Sequence, residues 1–445
     1  MQLNPREFVL QFAHVAQQDL FPHLERAIGP LTPQLQLISS IVSLVPLNRM
    51  LTARRAASGR PAKDRAALAT AFIAKAVLNL SHTRDLIGRL KVDEGLRQLC
   101  GWRSVRQIPH ESKFSRAFAE FAATELPQQL HAAVIETTQR ERLVGHIARD
   151  STAIPARERF KESAAGKKAK KQKKGKGKGK GKPAKGQAGG QAKQSKAKRV
   201  KQMKASDRST RIQRQRGQKL DRMIAELPKQ CDIGAKMDSK GNQQYWRGYK
   251  LHLDVADGQI PISALLTSAS VHDSQVAIPL MTMTSGRVTH LYELMDSAYD
   301  ANEIHAHIHG LEHVPIIAPH GRRGTKKPSQ MPKVFPVIPT PELSPAQRER
   351  FKERTMIERV NARLKDEFGA HHLRVRGAVK VMAHLMFGVL ALTVDQWLRL
   401  AYSSYNDLKH PLNSFQKTRS CGAGRAKACP SRGQKQAFLH DSDLK

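Results

Sequence analysis

The sequence predicts an α/β domain preceded by an all-helical N-terminal domain. Three observations carry this. Apolar residues repeat at helical spacing before residue 140, with no alternating run among them. From residue 143 the patterns run strand, strand, strand, helix, strand, helix, strand, helix, an order that gives a mixed sheet covered by helices. A lysine-rich stretch separates the first of those strands from the others.

Residues 1–140 form the helical domain in this reading. DRAALATAFIAKAVLNL (64–80) carries the clearest helical repeat. SHTRDLIGRL opens the next helix, with Ser81 or Thr83 as its N-cap. GWRSVRQIPHESKFSRAFAEF supplies a proline-containing turn and a further helix start. Arg54, Arg55, Arg60, Lys63 and Arg65 make one end of this domain basic, which fits either DNA contact or a solvated charged face.

Residues 141–402 form the α/β domain. LVGHIARDSTAI (143–154) is β-branched and partly alternating, a strand that ends near Asp150. The segment at about 161–217 interrupts the domain. It has almost nothing to bury and cannot offset its ordering entropy, so it is expected to be disordered. Its GKGKGK run lacks the spacing and flanking elements of a phosphate-binding loop. Mobile lysines there suit nonspecific, salt-sensitive contact with phosphates.

Order is expected again at YWRGYKLHLDVADGQIPISALLTSAS (245–270), where Asp257-Gly258 between two strand-like runs signals a hairpin. DSQVAIPLMTMT (273–284) follows as a helix, and VTHLYELMDSAYD (288–300) as a strand ending at Asp296. ANEIHAHIHG is helical and VPIIAP (314–319) is a short strand. After a proline-rich loop, a continuous helix is expected over AQRERFKERTMIERVNARLKDEF, then another over about 377–402. Residues 403–445 read as a basic disordered tail.

Charge narrows the partner. The chain has 76 Lys+Arg against 38 Asp+Glu, a formal charge of +38 over 445 residues. Between Lys161 and Lys204 stand seventeen Lys and one Arg against one Glu; the remainder still carries +21. The folded parts are therefore basic in their own right, as a polyanion-binding surface requires. The four cysteines form no C-x-x-C pair, which indicates neither a zinc ribbon nor a disulfide framework and fits a reducing cytoplasm. The N-terminus lacks a signal-peptide pattern, and VMAHLMFGVLALTVDQWLRLAY, interrupted by His384, Asp395 and Arg399, reads as a buried helix without membrane contact.

Three acids stand out by position. Asp150 and Asp296 sit at strand ends, and Glu358 sits inside the long helix. At about 100° per residue, Arg354, Glu358, Asn361 and Lys365 fall in an arc of roughly 60°, beside the apolar stripe Ile357, Val360, Leu364 and Phe368. Packed on the sheet, that stripe would bring Glu358 towards the strand ends for shared metal coordination. An ordinary amphipathic helix with an Arg354–Glu358 pair has the same pattern, and helical geometry alone fits both.

The motifs resemble those of a DDE transposase of bacterial insertion sequences, with an RNase H-like catalytic domain. In that group the third acid lies in a signature of Tyr, two residues, Arg, three residues, Glu, six residues, Lys. Here the same spacing reads Phe351, Arg354, Glu358, Lys365, with Phe in place of Tyr. RDSTAI resembles the first-acid motif, at Asp150, and MDSAYDA the second, at Asp296. RGYKLHLDV and ASVHDSQVAIPLM, with His252 and Asp273, also resemble the family, as do SGRPAKDRAALATAFIAKAVL and IPHESKFSRAFAEF of its helical domain.

This resemblance implies an RNase H-like mixed sheet and a metal-dependent enzyme that cleaves double-stranded DNA at element ends. The freed 3′-hydroxyls are then joined to target DNA. It implies two Mg²⁺ ions, replaceable by Mn²⁺, held by Asp150, Asp296 and Glu358, with Arg354, Lys365 and Asn361 at the DNA and a homodimer on paired ends. The competing readings are a domesticated DNA-binding protein that keeps the fold without catalysis, and a nuclease without strand transfer.

Other residues invite weaker readings. His305, His307 and His309 look like a metal tract but lack a completing ligand. His371-His372 reads as exposed or near phosphate, His146 as a packed strand histidine, and Trp246 as core rather than a base-stacking platform. Asp273 reads as a fourth acid near the site or as the N-cap of the helix it opens, and the start of DSQVAIPLM favours the cap.

Overall fold

The computed structural model describes residues 11–51 except 13, 64–158, 210–237, 241–319 and 343–409. Arg54, Arg55, Arg60 and Lys63, most of the lysine-rich segment, the proline-rich loop and the tail beyond 409 lie outside the described residues.

The N-terminal region is helical as expected: α1 (Phe21–Ile28), α2 (Pro33–Leu44), α3 (Leu47–Met50), α4 (Arg65–Val77), α5 (Thr83–Val92), α6 (Glu94–Leu99), α7 (Glu111–Ala123) and α8 (Leu126–Gln139). Asp64 caps α4 by accepting from the Ala66 and Ala67 amides. The cap of α5 is His82, not Ser81 or Thr83; its amide donates to the Asp85 carboxylate at 3.0 Å.

The second region contains β1 (Val144–Pro155), α9 (Arg211–Gln215), α10 (Leu220–Ala225), β2 (Asp232–Met237), β3 (Gln243–Ala256), β4 (Ile260–Ser268), α11 (Ser274–Ser285), β5 (His290–Met295), α12 (Asn302–Gly310), β6 (Val314–Ile317), α13 (Pro345–Phe351), α14 (Thr355–Asp366) and α15 (Ala378–Lys409). Order returns earlier than residue 217. Thr210 caps α9, Arg211 bonds Gln275, and the Gln215 amide donates to the Gln275 carbonyl at 2.9 Å, so this short helix is held on α11. Lysine-rich composition ends before Thr210, and the few apolar residues that follow suffice to dock it. Neither α9, α10 nor β2 has a pattern long enough to read from sequence.

The sheet is mixed. β3 runs antiparallel to β1 on one edge and to β4 and β2 on the other; β5 and β6 run parallel to β1 beyond it. Gly248 stands opposite Pro155 of β1 and Asp232 of β2. A Cβ there would lie 2.1 Å from the Ile154 carbonyl oxygen, so only glycine lets the strands meet. The expected β3–β4 hairpin turns on Asp257, Gly258 and Gln259, with Gly258 at φ +79°. Helices α11 and α12 cover one face and α14 the other, giving the mixed α/β architecture of an RNase H-like domain.

Helix α15 ties the helical region to the sheet, packing on α2, α4, α7 and α8 as well as on β4 and α14. Phe387 of α15 stacks on Phe72 of α4 at 5.9 Å, and one continuous apolar core runs through both regions. Ala378–Tyr402 is long and apolar enough to cross a bilayer, but two thirds of it (67%) is buried against these neighbours. It is a core helix.

The centre of the sheet holds an ionic cluster. Arg149 of β1 is 1% exposed and bonds Asp254 of β3 at 2.6 Å and Glu293 of β5 at 3.0 Å. Thr284 of α11 donates to Asp254 at 2.5 Å. Breaking a buried pair leaves an uncompensated charge, so Arg149→Ala should lose about 3–5 kcal/mol of stability. Arg149→Lys should recover only part, because an ammonium lacks the planar fork that serves two carboxylates. Urea denaturation of the two variants measures this; a loss under about 1 kcal/mol for Arg149→Ala contradicts it.

Candidate active site

Side chains alternate along β1, so Arg149 points under α11 and Asp150 points to the opposite face, towards α14. β1 and β5 run parallel with Ile147 opposite Glu293 and Ala148 opposite Leu294. Carried two residues further, that register sets Asp150 opposite Asp296. Asp296 ends the strand because its carboxylate accepts from the Ala298 amide at 3.0 Å and starts a single 3-10 turn, Ser297–Tyr299. Two acids therefore share the end of a parallel strand pair.

Their electrostatics fit that proximity. Burial, with Asp296 and Asp273 adding to it, pushes the Asp150 carboxyl up to about 6 against an amide hydrogen bond and Lys236. Burial, with Asp273, also raises Asp296, against its hydrogen bond to Ala298 and the charges of Arg354 and Lys236. Like charges crowd here, and a divalent cation is the group that would relieve them.

The third carboxylate is placed differently from expectation. The helix over residues 345–366 is not continuous: a 3-10 turn, Lys352–Arg354, separates α13 from α14. Arg354 thus stands at the start of α14, its guanidinium 5.8 Å from the Phe351 ring centroid and its charge felt by Asp296. Glu358 is exposed and accepts from Arg354 Nη2 at 2.8 Å. Among the described residues, Asp150, Asp296 and Glu358 do not close to within 4.8 Å of one another. Lys365 faces Asp150; burial and the neighbouring Lys236 lower its ammonium despite that carboxylate. Asn361 is 8% exposed and its Oδ1 finds no partner, so a DNA contact from it requires the helix to shift.

Asp273 corrects the cap reading. It occupies the N-cap position of α11 but makes no side-chain cap bond. Its carboxylate bonds Lys250 Nζ at 3.0 Å and lies 3.9 Å from His252 Nδ1. Burial works to raise it, but His252, Lys250 and a hydrogen bond from Ser151 hold it below its ordinary value. It is a charged fourth acid beside the pair. The signal that could have found it is Lys250, a cation on a buried strand that needs an anion; His252 two residues on is held neutral by burial, its pKa lowered to about 4.

The chain matches the Transposase DDE domain family over residues 209–394 and the Transposase domain (DUF772) family over residues 23–120. The chain belongs to the DDE transposases of insertion sequences. The DDE match takes in Asp273, Asp296 and Glu358 and begins after Asp150. No curated protein and no solved structure matches the chain significantly. The family acts on DNA and generally uses divalent metal ions.

The remaining candidates in the transposase sort into packing roles. His146 is buried, as expected for a strand histidine. Trp246 is half-buried over Gly234, its indole N–H donating to the Tyr249 carbonyl at 3.1 Å, which favours packing over base stacking. His371 and His372 are exposed. His305 bonds Asp300 at 3.1 Å and His307 contacts Thr282 at 3.2 Å, so the expected histidine tract is divided between different partners. A cleft of ≈ 560 Å³ lies between the helical region and α15, lined in part by Lys75, Arg84, Arg374, Arg376 and Lys380. Its cationic wall suits a phosphate backbone.

A raised carboxyl has a stability consequence. The unfolded Asp150 titrates near pH 4 and the folded one at about 6. The stability it contributes is present below about pH 4 and is lost as pH rises through about 6. Metal-free Asp150→Asn should therefore exceed metal-free wild type at pH 8 by on the order of 1–2 kcal/mol, discounted for solvent access, and match it at pH 4. Chemical denaturation at both pH values checks this. Equal stability at pH 8 contradicts a carboxyl raised by burial beside other acids.

Proposed function

We propose that this transposase cleaves element ends and joins the freed 3′-hydroxyls to target DNA by metal-assisted phosphoryl transfer, with Asp150, Asp296 and Glu358 as its metal-binding carboxylates. What supports this reading is the parallel β1–β5 pairing, in register to Ala148–Leu294 and so two residues short of Asp150 and Asp296, with α14, which bears Glu358 and Lys365, packed on β1. The donor set is oxygen only, which suits Mg²⁺, with Mn²⁺ as substitute. Two bound ions would lower the pKa of the attacking hydroxyl and stabilise the leaving oxygen.

The chain's own residues do the rest. Asp150, raised by burial, must give up its proton before it can serve as a ligand, and a bound cation would draw that proton off. Glu358 and Arg354 neutralise each other in the free protein. An incoming phosphodiester competes for Arg354 by bidentate hydrogen bonds, and Glu358 is released towards the two aspartates. Lys365 offers a second, point-like cation to the phosphate. Asp273 keeps Lys250 and His252 oriented at the strand end and adds negative charge that favours cation binding.

The helical region with its basic cleft, together with the lysine-rich segment, would hold DNA through the phosphates. Paired cutting of two ends calls for a homodimer, and the enzyme would act on DNA in the cytoplasm.

Glu358→Gln and Asp150→Asn should reduce Mg²⁺-dependent nicking of end-containing DNA on the order of 10²–10⁴-fold while leaving DNA binding intact. Nicking assays and gel shifts on the same preparations separate the two effects. Full nicking by Glu358→Gln overturns the third ligand; cleavage without 3′-end joining identifies a nuclease instead.

A further inference from the structure

A second cluster of metal-ligating side chains gathers around Glu293, the β5 carboxylate that bonds Arg149. His290 opens β5, Glu293 lies within it, and His313 immediately precedes β6. One ligand atom from each lies within 4.8 Å of the others. His290 Nε2 is 2.9 Å and His313 Nδ1 3.8 Å from the same oxygen, Glu293 Oε1. Donors about 2.1 Å from a shared ion at 90–110° stand roughly 3.0–3.4 Å apart, between these two separations.

Three further observations point to a cation. Glu293 divides its oxygens: Oε2 accepts from Arg149 at 3.0 Å, which leaves Oε1 to the histidines. His313 Nδ1 is buried and has no hydrogen-bond partner, since 3.8 Å exceeds hydrogen-bond reach. Asp254 and Glu293 both bond Arg149 inside the sheet, so the carboxylate that meets the two histidines is already held in place by a guanidinium. The side chains of His290 and Glu293 are fully buried, while His313 retains 11% exposure and so offers an entry path.

We propose that His290, Glu293 and His313 bind a transition-metal ion of the zinc class, structurally and independently of the catalytic acids. Two imidazoles exclude Mg²⁺ as the preferred occupant and favour Zn²⁺ or Co²⁺. Arg149 then acts as the outer partner that orients the ligating carboxylate. The ion fastens the entrance of β5 to the approach of β6, beside the point where their pairing begins at Tyr292 and Val314.

The test uses the full chain, stripped with chelator, reloaded with Zn²⁺ and desalted. One equivalent of zinc should remain per chain, the Tm should rise on loading, and Co²⁺ should give the visible bands of a low-symmetry four- or five-coordinate site. The Asp150→Asn, Glu358→Gln double variant should retain the ion. His313→Ala should lose it and its Tm response, and His313→Cys, which restores a ligand, should regain both. Retention of zinc by His313→Ala, or failure of folded wild type to hold any, overturns the proposal.

Discussion

The buried guanidinium of Arg149 is the constraint on which the rest depends. It joins the three central strands through Asp254 and Glu293, and its neighbour Asp150 points to the other face. Because β1 and β5 are locked at Arg149–Glu293, their parallel register is fixed three residues before Asp296. A slip of one residue would invert every side chain, putting Arg149 on the face of Asp296 and Asp150 in the apolar layer under α11. The ion cluster thus specifies the site as much as it stabilises the sheet. Apolar replacements could stabilise the sheet as well, but they would not select one register.

The opposite face shows how the site tolerates its own repulsion. Asp150, Asp296 and Asp273 press on one another, and Lys236, Lys250, Arg354 and Lys365 surround them. These cations do not neutralise the acids fully: Asp150 stays well above its ordinary range. They pair instead with acids at the rim, Lys250 with Asp273 and Arg354 with Glu358. The centre keeps a deficit of positive charge while the rim holds cations that a phosphate can recruit. This division suits a site that must attract both a divalent cation and a polyanion.

Much of this was legible in the sequence, and the reasons are specific. β1, the β3–β4 hairpin, β5, α11 and α12 have strong periodicity and clear turn chemistry, and Asp296 does end its strand; Asp150 does not, because β1 runs on to Pro155 paired with β3. What escaped reading depended on tertiary contacts. The 3-10 turn at Lys352–Arg354 breaks the expected helix where α14, packed on β1 and β3, gives way to α13, which buries no residue, while the turn itself touches β1 and β5. Asp273 has the composition of a cap and is claimed instead by Lys250 across the strand end. β2 lacks alternation because it only extends an edge, with Ile233 and Tyr245 of the hairpin exposed. The His290–Glu293–His313 cluster has no sequence spacing to betray it, since its members meet only after β6 has paired with β5.

The central claim is that Glu358, rather than Asp273, completes the metal site with Asp150 and Asp296. A structure of the protein with Mn²⁺ and an end-containing DNA duplex, read by anomalous scattering, tests it most directly. The account predicts manganese between Asp150 and Asp296 with the Glu358 carboxylate turned off Arg354 onto the metal, and Arg354 on a phosphate. Manganese held by Asp150, Asp296 and Asp273, with Glu358 still bonded to Arg354, would contradict it.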